Sequence, residues 1–438
     1  MTNPSLLDRG QRAGLRLISK AGALPFLQNE DVRRRVEQLL RRGSASGFKA
    51  QIAVGRAFAK RKGSGAPART TPRAPKKLFD LTPTEDQAML QAAARELADE
   101  VIRPAGKAGD TDRAVPAEVR AAATEMGLGL IGVPTELDGI AEEHPAVATC
   151  LVLEELSRGD MGIAVALMAT GSVATAIARY GTADQQATYL PHLTSEEPAL
   201  AAIAIQEPQP LFDPSALRTT AERRDGTLVL NGTKALVAQA AAAELFIIGA
   251  MVDEEPRLVI VPAGTTGVRI EDDPAMGVRA AATGRVVLTD VEVPEENILG
   301  DDLDYRDAVR RARLAWAACA VGTAQAVLDQ VIPYVKDRTA FGEPIAHRQA
   351  VAFMIADIAI ELEALRLTVW KAAARLDSGK DATEVIGRAR HLTATHGAQI
   401  GSHAVQLLGG HGFVKEWDNE RWYRDLRGAG VLEGTLIV

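Results

Sequence analysis

The residues with the most chemical potential lie between Gln406 and Thr435. Gln406-Leu-Leu-Gly-Gly-His-Gly-Phe413 is followed by Glu420-Arg-Trp-Tyr-Arg-Asp425 and then by Leu432-Glu-Gly-Thr435. Read bare, this is a helix ending in a glycine-rich turn, a charged helical segment, and a carboxylate beside a glycine. Gly409, Gly410 and Gly412 permit close backbone approach to a ligand and turns of positive φ. A carboxylate in an apolar, closed site is pushed towards the range useful to a general base. Taken alone, Glu433 reads equally as a helix-end charge. A second block is Arg338-Thr-Ala-Phe341-Gly-Glu-Pro-Ile345, with Gln349 after it. Its guanidinium fork suits phosphate; alone, it reads as a helix end paired with Asp337 or Glu343. Arg313 taken singly is a surface charge.

Composition narrows the class. The 438 residues are 47% hydrophobic and 24% charged, which suits two or three packed globular domains. Aromatics are only 4%, and the abundance of Ala, Leu and Val favours helix. Cys150 and Cys319 both sit in apolar helical contexts and read as buried, reduced thiols. No His or Cys spacing suggests a metal. Ala235–Val252, the longest apolar run, is interrupted by Gln239 and Glu244 and is too polar to span a membrane. The N-terminus lacks an apolar signal core, so a cytoplasmic location is expected. Charge is unevenly spread: residues 1–77 carry 18 Lys and Arg against 4 Asp and Glu, on a chain whose net charge is −7.

The elements that must position these residues fall into four blocks. Residues 1–77 form a basic arm. It has three short amphipathic patterns within 1–62, suited to an anionic membrane surface, to an acidic partner or to packing on the body, and a Pro/Gly-rich linker over 63–77. Nothing in it resembles a base-reading module, so nucleic acid is not expected. Residues 78–197 read as helical, with a helix start at Thr82-Pro-Thr-Glu85 capped by Thr82, and a capping box at Thr182 and Gln185. Residues 198–303 switch to short strand runs. Asp225-Gly226 and Asn231-Gly232 mark hairpins of a small antiparallel β-domain. Residues 304–438 return to helix, at about 304–337, 346–378 and 382–410 plus a terminal piece, which makes a four-helix bundle. Sequential helical, sheet and helical blocks give an α+β fold, and no Gly-x-Gly-x-x-Gly follows a strand.

Taken together, the C-terminal motifs resemble the signature of the acyl-CoA dehydrogenase family: Gln-x-x-Gly-Gly-x-Gly, then Arg-x-x-Arg-Asp, then Glu-Gly-Thr in unbroken spacing. The resemblance covers about 81–438. It implies an FAD-dependent enzyme of fatty acid metabolism that oxidises an acyl-CoA to the trans-2-enoyl-CoA and passes electrons to an electron-transfer flavoprotein. It further implies Glu433 as the α-proton base and its backbone N–H as an oxyanion donor. Arg338, Phe341, Gln349, Gln406, Gly410 and Thr435 would serve FAD, and Arg313 the thioester end of the pocket. A homodimer or homotetramer is implied.

The departures fall on one side. The family's flavin-bonding Thr in the β-domain is Gln206 here, its Ser near the CoA arm is Phe212, and two loop glycines are Gln209 and Leu211. The Trp and Thr beside the flavin are Leu236 and Ala238, and the Gln or Glu after Glu-Gly-Thr is Ile437. The residues retained are those the family lends to a neighbouring subunit's FAD. Two further readings stay open: a partner subunit completing a related chain's site in a hetero-oligomer, or oxidase or monooxygenase chemistry on the same fold.

Overall fold

In the computed structural model, residues 81–141, 145–300 and 304–438 are described. The chain divides into two units, Met1–Leu78 and Phe79–Val438. The arm and linker read at 1–77 lie outside the described residues.

Six helices open the second unit: α1 (Glu85–Leu97), α2 (Arg103–Asp112), α3 (Ala117–Glu125), α4 (Pro145–Gly159), α5 (Met161–Tyr180) and α6 (Ala183–Leu193). The first begins two residues later than the sequence suggested. Thr84, not Thr82, is the cap, because Gln87 stands three residues beyond it. Thr84 Oγ1 accepts from Gln87 N (3.2 Å) and Gln87 Oε1 accepts from Thr84 N (3.0 Å). The box at Thr182 and Gln185 forms as expected. α5 is long and apolar enough to cross a membrane, but 94% of its apolar window is buried inside the fold, as befits a core helix. Asp160 caps it by accepting from Ile163 N at 2.9 Å.

Seven strands follow: β1 (Ala201–Ala204), β2 (Thr220–Arg224), β3 (Thr227–Val237), β4 (Leu245–Val252), β5 (Glu255–Pro262), β6 (Val268–Asp272) and β7 (Gly284–Pro294). Their order is β1-β4-β2-β3-β7-β6, with β5 on the free side of β4. The sheet is mixed, not purely antiparallel. β1 runs parallel to β4, and β2 meets β4 in parallel at Thr220 and Met251. Asp225-Gly226 makes the β2–β3 turn, with φ of 49° and 84°. Asn231-Gly232 is no hairpin. It lies inside β3, where Gly232 (φ 152°) produces a register shift against β7. A Cβ there would collide with Thr219, so the glycine signal reported a bulge and a close approach rather than a turn.

The bundle holds α7 (Tyr305–Asp337), α8 (Gln349–Asp377), α9 (Thr383–Leu392), α10 (Ala398–Leu408) and α11 (Asn419–Ala429). The helix expected over 382–410 is α9 and α10 joined by a π-helical turn, Thr393–Gly397. A two-residue hairpin, β8 (Thr339–Ala340) and β9 (Glu343–Pro344), separates α7 from α8. Trp316 and Trp422, both fully buried, anchor a helical core that also takes in Cys150 and Cys319.

The Arg424-Asp425 pair locks α11 in place. Arg424 reaches Asp110 on α2 (2.8 and 3.0 Å) and Glu420 (2.8 and 3.0 Å). Asp425 Oδ1 accepts from Val278 N, and Arg421 Nε donates to Asp160 Oδ2 at 2.9 Å. Burial, with Asp160 nearby, pushes the Asp425 carboxyl up to about 7. Unfolded, it releases its proton near pH 4. Between those values the folded state holds the extra proton, so this group's contribution to stability falls as pH rises from about 4 to 7 and is flat above. Asp425→Asn stays neutral and still accepts from Val278. Its melting temperature is expected to fall less than the wild type's between pH 5 and 7.5, as scanning calorimetry would show.

Candidate functional site

Glu433 follows the last helix, and the chain brings it back against α7, α9 and the end of β1. Its side chain is buried. Arg313, on α7, holds both carboxylate oxygens, with Nε at 3.1 and 2.9 Å and Nη2 at 2.9 Å. Arg390, on α9, donates to Oε1 from 3.1 Å and to the Ala429 carbonyl from 2.9 Å. The two guanidiniums titrate in opposite directions on one partner. Burial pulls both down, and the two-point bond to Glu433 leaves Arg313 raised. Arg390 makes one bond, is buried more deeply, and faces Arg313's charge, so it stays lowered. A buried carboxylate needs such compensation.

The backbone beside the carboxylate is equally committed. Glu433 N donates to Gln206 Oε1 at 2.9 Å. Gly434 has φ 75°, and a Cβ on it would sit 2.9 Å from Ile205. Trp316 Nε1 donates to its carbonyl at 2.9 Å, while Arg311 holds the Val438 carbonyl at 2.8 Å. Thr435 takes φ 72°, a conformation costly for a β-branched residue.

The loop bearing Gln206 rests on a buried ion pair. Lys234 Nζ lies 2.7 Å from Glu207 Oε1 and 3.2 Å from the Ile205 carbonyl. Glu207 also accepts from the amides of Arg218 and Thr219 and from Thr219 Oγ1. Burial lowers the Lys234 ammonium to about 8 against the pull of Glu207.

The remaining candidates gather at the far end of the bundle. Arg338 ends α7, exposed, with no ion pair among the described residues, so neither Asp337 nor Glu343 pairs with it as the bare reading of that block has it. Glu343 instead faces Arg348 and His347. Phe341 is 96% exposed at φ 56°, with the Arg348 guanidinium 5.7 Å from its ring centre. Gln349, Gln406 and Gly410 are exposed, and a Cβ on Gly410 would meet nothing. Tyr334 Oη, within reach of the Leu408 carbonyl and His411 Nδ1, ties the Gly409–Phe413 turn to the end of α7.

The structure therefore unites Arg313 with Glu433 and sets Arg338, Phe341, Gln349, Gln406 and Gly410 apart from them. Arg313 and Arg338 are 25 positions apart along α7, ~37 Å at helical rise. Sequence reasoning missed Arg390, one of two arginines on an amphipathic helix with no motif around it. It noticed Gln206 only as a loss, not as a hydrogen-bond partner.

Three family models match in chain order: the acyl-CoA dehydrogenase N-terminal domain over residues 84–197, the middle domain over 202–291 and the C-terminal domain over 306–437. The short-chain specific acyl-CoA dehydrogenase of Bos taurus mitochondria is 32% identical over 362 residues, 80% of this chain and 87% of the relative. The chain belongs to the acyl-CoA dehydrogenase family. An acryloyl-CoA reductase (NADH) from Anaerotignum propionicum is 32% identical over 371 residues, 82% of this chain and 93% of that one. The butyryl-CoA dehydrogenase of Megasphaera elsdenii matches in structure with a TM-score of 0.74 at 28% identity, over 81% of this chain and 96% of that one. This acyl-CoA dehydrogenase is thus an oxidoreductase acting on acyl-CoA, and FAD is the family's cofactor.

The residues at the far end of the bundle fit the nucleotide half of FAD. They offer a guanidinium free of carboxylates for phosphate, an exposed aromatic ring for stacking, and open glycine backbone. At Leu236 and Ala238, which the resemblance sets beside the flavin ring, the side chains have no donor, and Leu236 N is spent on Asp273 Oδ2 at 3.0 Å. Arg338→Ala and Phe341→Ala remove exposed side chains, so stability is expected to hold within about 0.5 kcal/mol. FAD retention, read from the flavin-to-protein absorbance ratio after gel filtration, is expected to drop.

Proposed function

We propose that this acyl-CoA dehydrogenase oxidises an acyl-CoA between Cα and Cβ to the trans-2-enoyl-CoA, with Glu433 as the base. One observation carries the reading. Glu433 presents a buried carboxylate and, beside it, a backbone N–H already engaged with an amide oxygen, Gln206 Oε1, at 2.9 Å. A thioester oxygen in that oxygen's place would set its α-carbon near the carboxylate and would find a donor for the developing enolate. The α-proton passes to Glu433. Arg313 and Arg390 fix the carboxylate in the substrate-free protein, and one of its bonds must loosen as it takes the proton. The Ile205 contact and the buried tail Leu436–Val438 keep water from the site. FAD supplies the acceptor for the β-hydride, which no side chain provides.

Residues separated by ~37 Å cannot hold one end and the other of a single compact site. The Arg338 cluster therefore serves the FAD of a second copy, in a homodimer or homotetramer, with an electron-transfer flavoprotein as electron acceptor. Residues 1–62 are proposed to rest on an anionic membrane surface of the cytoplasm.

The first experiment is an absorption spectrum of the purified chain with and without added FAD, followed by bleaching with acyl-CoA. Glu433→Gln is expected to keep the flavin bands and lose turnover by two orders of magnitude or more, the range of a general base. Turnover equal to the wild type's would remove Glu433 from the role.

A further inference from the structure

A cleft of about 1240 Å³ opens between α3, α5, the end of α6 and the start of β4, away from Glu433. Its lining mixes apolar residues, Leu128, Leu130, Leu167, Leu193 and Leu200 among them, with polar ones such as Thr124, His192 and Ser195. Small-molecule sites of this kind run to roughly 300–1,000 Å³ and use a few placed polar groups. Here the placed group is Arg120.

Arg120 is half-buried, and no carboxylate pairs with it among the described residues. Its side-chain bond there is a single one, Nη2 to Gln239 Oε1 at 2.7 Å. Burial lowers the guanidinium, with no opposing acidic partner. Arg311, Arg421 and Arg313 are met by Asp307, Asp160 and Glu433, while half-buried Arg103 bonds the Arg158 carbonyl and lies over the Trp422 ring. An uncompensated guanidinium withdrawn from water favours an anion.

Gln239 shows that the arginine is placed on purpose. It is 5% exposed, and its amide nitrogen is anchored to the Ala166 carbonyl of α5. Its backbone sits at φ 52°, pinned by its N–H to the Ala281 carbonyl at 2.8 Å. Such strain in a non-glycine residue persists only where its surroundings impose it, and it gathers at functional sites. Thr170 Oγ1, also in the wall, accepts from Ala201 N at 3.1 Å, which leaves its hydroxyl proton to donate. The guanidinium adds a permanently charged donor to that wall.

The rim narrows the ligand. Glu125, Glu196, Glu197 and Glu244 are exposed around the opening. This collar opposes a polyanion such as a CoA thioester far more strongly than a monoanion with an apolar body, because repulsion grows with the ligand's charge. We propose that the Arg120 cleft binds a free medium-chain monocarboxylate, its carboxylate on Arg120 and its tail along the leucines. This site is separate from the acyl-CoA site and does not depend on the dehydrogenation reading.

Calorimetric titration of the full chain with octanoate, octanamide and octanoyl-CoA tests it. Octanoate is expected to bind, octanamide at least tenfold more weakly, and octanoyl-CoA not to compete. Arg120→Gln is expected to weaken octanoate at least tenfold and leave octanoyl-CoA affinity unchanged. Leu167→Trp keeps the arginine but fills the cleft, so it should also abolish octanoate binding. Three results each overturn the proposal: no octanoate binding at millimolar concentration, equal affinity for acid and amide, or displacement of octanoate by octanoyl-CoA. If Arg120→Gln does not fold, octanoate binding undiminished in Leu167→Trp overturns it as well.

Discussion

A carboxylate cannot be taken out of water without cations to meet it, and that constraint organises the C-terminal half. Glu433 draws Arg313 from α7 and Arg390 from α9 onto one group, so the segment after α11 is fixed from two sides. Trp316 and Arg311, also on α7, then hold the Gly434 and Val438 carbonyls. The chain between Leu432 and Val438 has no regular structure of its own. Side chains of the long helix supply the hydrogen bonds that a helix or strand would have given it.

The same logic recurs in the β-domain. Lys234 and Glu207 are both buried, and each would be costly alone. Paired, they fasten β3 to the loop after β1, and with that loop they fix Gln206 against Glu433. The two buried ionic clusters thus meet at a single hydrogen bond, Glu433 N to Gln206 Oε1. The length of Gln206 matters at this point, because its amide oxygen reaches a donor that a short hydroxyl would leave open.

Much of this was legible in the chain. Helical and strand blocks came from hydrophobic period, and the Thr182–Gln185 box from its three-residue spacing, because these signals are local. The errors have local causes as well. Two threonines stand close together before α1, and only the glutamine at 87 decides between them. Asn231-Gly232 has a turn's composition, but tertiary approach of Thr219 uses the glycine inside a strand. The parallel pairing of β1 with β4 spans some forty residues and leaves no mark in either strand's pattern. In the site, Glu433 and Arg313 were singled out through the family resemblance, and the structure brings the two together. Arg390 was not, since a charge whose partner lies 43 positions away carries no periodicity.

α7 is also a ruler. Arg313 and Arg338 lie 25 positions apart, about seven turns of helix, so their Cα atoms fall on nearly the same side of the rod. One residue inserted between them would advance the far end by about 1.5 Å and swing it through about 100°, turning the Arg338 cluster away from whatever it faces. Substitutions along this helix are limited by packing, residue by residue. Its length is limited by something stricter, because it sets the phase between the Arg313–Glu433 pair at one end and the Arg338 cluster at the other.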